Sequence, residues 1–178
     1  MEKSIFQEKK ISKAYIVLSL PLVMSMVVSL VYNLADTFFV AQTNNTDLVA
    51  GVSLGAPIFT LLMAFGNIFA QGGSSLISRL LGQQDKDNVR RVSSFSFYTA
   101  IITGAVIGIL LLLLRTPALY MLGATGQTIA HASAYYTWLA IGAPVIVLSF
   151  VHSNLLRAEG LSKESMSGSV LGTVVNIV

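Results

Sequence analysis

Residues 14–41 form a nearly unbroken apolar run whose one charged side chain is Asp36. A bilayer core is crossed by about 20 apolar residues, and its lack of water forces the backbone to satisfy its own hydrogen bonds, so this run predicts a spanning helix. A carboxylate set in such a helix costs about 2.5–3.5 kcal/mol on insertion scales, which marks it as functional. At about 100° per residue, Ser25, Ser29, Tyr32, Asn33 and Asp36 fall on one face. Two roles suit an acid at the end of such a stripe. It can stay neutral and hydrogen-bond a neighbouring helix, or it can face a water-filled cavity and carry a proton or cation. The continuous polar stripe favours the second.

The rest of the composition agrees with a membrane setting. The chain is 54% hydrophobic and 11% charged, against about 25% charged residues in ordinary soluble domains. With no cysteine there is no disulfide framework or thiolate metal site, and the two histidines lie far apart in sequence. The first apolar run is about twice the length of a signal-peptide core and no cleavage motif follows it, so it is expected to remain as the first span.

Five apolar segments predict an all-α, polytopic transmembrane bundle. The helices are expected at about 14–42, 47–81, 90–114 and 128–157, with a fifth from 164 to the last residue, 178. The last is shorter than a full span, giving about 4.5 spans. Of the eleven lysines and arginines, ten fall in the N-terminal tail and in the connections after the second and fourth helices. Only Arg115 falls on the other side. This bias predicts a cytoplasmic N-terminus in a multi-pass protein of the cell membrane.

The second helix is long for one span, and Pro57 is expected to kink it. Thr60, Asn67, Gln71, Ser74 and Ser78 form a second polar stripe, which with the first suggests a shared wet cavity. Gly51 with Gly55, and Gly104 with Gly108, have the spacing that lets membrane helices approach closely. Tyr120, Tyr135, Tyr136 and Trp138 are placed in an outer aromatic belt, and His131 beside them at the interface. Pro144 should bend the fourth helix. His152 and Asn154 read first as helix-to-helix hydrogen-bonding groups.

Several stretches taken together resemble the multidrug and toxic compound extrusion (MATE) family of cation-coupled antiporters. They are PLVMSMVVSLVYNLADTFFVAQ, AQGGSSLISRLLGQQD, LLRAEGLSKESM and VLGTVVN, in that order along the chain. Members of that family have two six-helix lobes around a central cavity, and this chain resembles part of the first. The resemblance implies that Asp36 exchanges a proton or sodium ion, that Asn176 joins the same polar cluster, and that Pro21 is a hinge of the first helix. Tyr32, Asn33, Asn67, Gln71 and Asn154 become candidates for the cavity lining. It also implies amphipathic, often cationic, drugs or toxic organic compounds as cargo, and no cofactor beyond the coupling ion. The lipid bilayer and a second lobe are the expected partners, with no nucleic acid. Alone, the chain is expected to be an inactive fragment of such an antiporter.

The alternatives are a lipid-linked-oligosaccharide flippase of the same superfamily and a non-transporting membrane fragment. The flippase is disfavoured by the lack of basic residues expected within the spans. An intramembrane aspartyl protease would need two carboxylates sharing a proton, and the spans offer one, so the chain is not expected to be an enzyme.

Overall fold

A computed structural model describes residues 11–177, with the side chains of 11, 13, 14, 176 and 177 outside that description. The tail lysines Lys3, Lys9 and Lys10 also lie outside the described residues. All regular structure among the described residues is helical: α1 (Ile11–Ala41), α2 (Thr46–Ser53), α3 (Ala56–Gly82), α4 (Lys86–Leu113), α5 (Arg115–Met121), α6 (Ile129–Ala158) and α7 (Ser162–Ile177). Four stretches are long and apolar enough to cross a membrane, Tyr15–Gln42, Thr46–Gly82, Lys86–Leu113 and Ile129–Ala158.

α6 is the hub. It packs on α3 and α4, which also pack on each other, and α2 and α5 rest on its first half. The shared core is a row of small and branched residues from each helix: Leu62, Ala70 and Ile77 of α3, Ala100 of α4, and Ala143 and Val147 of α6 are fully buried. α1 lies outside this trio and packs chiefly on α7.

Close approach in the core depends on missing side chains. A Cβ on Gly104 would lie 2.5 Å from Pro144 Cα, and one on Gly108 would collide with the Ala140 carbonyl oxygen. That carbonyl is the one Pro144, four residues on, cannot serve with an N–H. The bare face of Gly108 leaves room for it, so the expected close glycine pair and the proline of α6 are two halves of one contact. Gly55 makes a similar approach on the other side of α6, with the Tyr135 ring lying over it.

Three expectations are corrected. The second helix is not continuous over 47–81 but breaks at residues 54–55, with Pro57 in the first turn of α3. Proline has no N–H for the Ser53 carbonyl and its ring crowds the preceding turn, so the chain restarts rather than bends. α4 starts at Lys86 rather than 90, because the Asp85 carboxylate caps it, accepting from the Asn88 N–H at 3.1 Å and the Asn88 Nδ2 at 2.6 Å. The backbone and side-chain hydrogen bonds from Asn88 hold the Asp85 carboxyl below its usual range. The short α5 was not anticipated. Tyr136 also leaves the aromatic belt: it is 1% exposed, and its hydroxyl has no hydrogen-bond partner. Tyr120 and Trp138 do stand exposed on the surface.

Candidate functional site

The middle and second half of α1 are shaped by a repeated local device. Pro21 lies inside the helix and is buried. The Ser25 hydroxyl donates to the Pro21 carbonyl at 2.9 Å, and the Ser29 hydroxyl to the Ser25 carbonyl at 2.9 Å. Further along, Thr37 Oγ1 donates to the Asn33 carbonyl at 2.8 Å. Such bonds to the preceding turn let a polar side chain sit in an apolar helix, and they favour bending. Their consequence for chemistry is that the hydroxyl protons are committed, so this face offers mainly oxygen lone pairs.

That face lines a cavity of about 440 Å³ together with Arg157 of α6 and Ser169 of α7. Ser25, Ser29, Asn33 and Thr37 all border it. Asp36 and Tyr32 do not. The Asp36 side chain is exposed and that of Tyr32 half-buried. The single stripe read from the sequence is therefore divided. Its serine and asparagine portion borders the space beside α7, whereas Asp36 and Tyr32 lie outside that lining.

The second stripe joins neither group. Asn67 is half-buried and Gln71 exposed on α3, whose core face is spent on α4 and α6. Thr60 and Ser78 donate to the carbonyls of their own helix, at 2.9 Å each. None of Thr60, Asn67, Gln71, Ser74 and Ser78 borders the cavity beside α7. Asn154 is half-buried and donates through Nδ2 to the Phe150 carbonyl at 2.8 Å, again within its own helix. Asn176 falls in the last described turn of α7, and its side chain lies outside the description.

Arg157 was missed as a cavity residue. The sequence puts it at the end of the fourth helix and counts it among the basic residues of the connection that follows, and α6 does run to Ala158. The helix ends in a left-handed Gly160 (φ 84°), with the Leu161 N–H on the Leu156 carbonyl at 2.9 Å and the Gly160 N–H on the Arg157 carbonyl at 3.1 Å. This closing motif holds Arg157 in the final turn. Its spacing of three from Asn154, which puts both on one helix face, was the available signal. On the opposite side of α6, Ser93 Oγ donates to Glu159 Oε1 at 3.1 Å, at the edge of a second cavity of about 300 Å³ that His152 also borders. Among the described residues no group of three or more His, Cys, Asp or Glu is placed to hold a metal ion.

Comparison with known proteins agrees with this architecture. The MatE family model matches residues 21–178. The chain is 35% identical over 173 residues to the multidrug export protein MepA of Staphylococcus haemolyticus, and 31% identical over 173 residues to MepA of Staphylococcus saprophyticus. Each match covers 97% of this chain and 38% of the relative. A solved MOP-superfamily transporter from Pyrococcus furiosus superposes with a TM-score of 0.90 at 31% identity, covering 99% of this chain and 39% of that one. The chain thus spans well under half the length of the relatives it matches. A multi-pass helical bundle, a family model across nearly all of its spans and a close structural likeness to solved members place this chain in the MatE family of multidrug and toxic compound extrusion transporters.

Proposed function

We propose that these residues form part of one lobe of a cation-coupled antiporter of the cell membrane, which exports amphipathic, often cationic, drugs or toxic organic compounds. Transport would require a second lobe, as in the longer relatives. The observation that carries this reading is Asp36, the sole charged residue of the Tyr15–Gln42 span, on the helix whose Ser25, Ser29 and Asn33 border a cavity. An ionisable group kept within a span suits a proton or sodium carrier. No other cofactor is invoked. Tyr32 would tune the acid, and Asn176 would complete its polar surroundings. Asn33 and Asn154, and Asn67 and Gln71 on α3, would line the path of cargo or water. Pro21 would be the hinge about which α1 bends as the lobes rock between outward- and inward-open forms.

The test is gradient-driven dye efflux from energised vesicles bearing the two-lobed transporter, at matched expression. Asp36→Asn keeps size and hydrogen bonding but removes the titratable proton. At 100 mV one charge crossing the membrane is worth about 2.3 kcal/mol, so losing one coupled proton cuts the attainable drug gradient by several tens of fold. Near-normal efflux by the variant would remove Asp36 from the mechanism. The Lys/Arg bias supports a cytoplasmic N-terminus. Cysteine placed at Gln127 should then label from outside and cysteine at Lys86 should not, and the reverse pattern would invert the topology.

A further inference from the structure

The charge at the α7 side of the bundle does not belong to the chemistry of Asp36. The Arg157 side chain borders the 440 Å³ cavity and has no carboxylate or hydrogen-bond partner among the described residues. The acid nearest in sequence, Glu159, is about 200° further round the helix and is bonded to Ser93. A guanidinium brings five N–H donors in a planar fork that matches phosphate and carboxylate oxygens. Left half-buried beside a membrane helix, such a group is a binding site awaiting its counter-charge.

The walls say what kind of molecule fits. The hydroxyl protons of Ser25, Ser29, Thr37 and Ser169 all go to backbone carbonyls of their own helices. Apart from the Asn33 amide, the strong donors of this cavity are therefore gathered at Arg157. Leu22, Met26, Leu30 and Leu34, at every fourth position of α1, supply an apolar ridge along the same cavity that runs about 18 Å. The volume falls in the range of about 300–1,000 Å³ that holds drug-sized ligands, far more than an inorganic anion needs. Arg157 also ends a helix on the side that carries most of the basic residues, where anionic lipid heads gather.

We propose that the cavity between α1 and α7 is an anion subsite in which Arg157 grips the phosphate head of an amphiphile whose apolar part lies along the Leu22–Leu34 ridge of α1. The proposal concerns binding and does not depend on the transport reading.

The 178-residue chain is purified and reconstituted in phosphatidylcholine nanodiscs, and phosphatidic acid is titrated in and its binding measured. Wild type should prefer phosphatidic acid to phosphatidylcholine, and Arg157→Gln should weaken that binding by about tenfold or more, the worth of a charge-assisted hydrogen bond. Arg115→Gln, on the other side of the bundle, should bind as wild type. Ser29→Leu fills the cavity and keeps Arg157, so it should also weaken phosphatidic acid binding. This second variant decides the matter if Arg157→Gln fails to fold. Inorganic phosphate at millimolar concentration separates the sources: a lipid site is displaced weakly, whereas a site for a free anion is displaced fully, which would overturn the amphiphile. Binding in Arg157→Gln or Ser29→Leu within about twofold of wild type would overturn the subsite, as would an equal loss in Arg115→Gln.

Discussion

The α3–α4–α6 trio and the α1–α7 pair are built by opposite means. In the trio, the backbones meet directly: Gly104 and Gly108 of α4 and Gly66 and Gly73 of α3 all lie against neighbours that leave little or no space for a Cβ. In the pair, Gly168 and Gly172 of α7 have nothing within 4 Å of where a Cβ would be, and the polar face of α1 borders an open volume. Lipid tails are as apolar as leucine, so membrane helices associate through close van der Waals packing rather than burial from water. Among the described residues that backbone-to-backbone approach is not made at these two glycines of α7. The contrast is between a close-packed region and one whose polar face borders open volume.

The largest expected stability effect breaks the scaffold. Gly108→Leu drives a side chain into the Ala140 carbonyl and should cost about 3 kcal/mol or more, read as loss of helicity at lower denaturant in detergent. The matched change in the other region, Gly168→Ala, should leave stability the same or raise it by up to about 1 kcal/mol, because a helical glycine in open space is replaced by a better helix former. If the two substitutions cost the same, the contrast between the regions is wrong.

A smaller effect sharpens the same contrast from within the core. The Tyr136 hydroxyl is buried without a partner, so Tyr136→Phe should leave the trio unchanged or stabilise it by about 1 kcal/mol, measured in the same denaturation series. A clear loss of stability would mean that the hydroxyl is bonded in the membrane, and that the trio is less dry than its packing implies.

The smallest effect lies outside both regions, at the turn that joins α3 to α4. The folded-state pKa of Asp85 is depressed by its bonds to Asn88. The cap's contribution is therefore fully present above the ordinary carboxylate range and is lost as pH falls through the lowered folded value. Exchange of the Asn88 amide should quicken in that acidic window for wild type, and Asp85→Ala should show the faster exchange at all pH values. An Asn88 amide whose protection does not differ between the two proteins would remove the cap.

Asp36 and Arg157 show where reading the sequence succeeds and where it stops. The chain alone determined that the protein is a helical membrane bundle, because runs of about 20 apolar residues have no other stable form in a bilayer. It also determined that Asp36 stands out, since a lone carboxylate in such a run is costly anywhere, and that Gly104 and Gly108 mark a close contact. Only the tertiary structure decided which neighbour each face meets. Helical periodicity gives angles about one axis and says nothing of the rotation of that axis against others. For that reason the α1 stripe could be seen but not its division, with Ser25, Ser29 and Asn33 bordering the α7 side and Asp36 outside that lining. Helix ends depend on caps and turns rather than on hydrophobicity, so the break before Pro57 and the Gly160 turn that closes α6 beside Arg157 became visible only once the chain was folded.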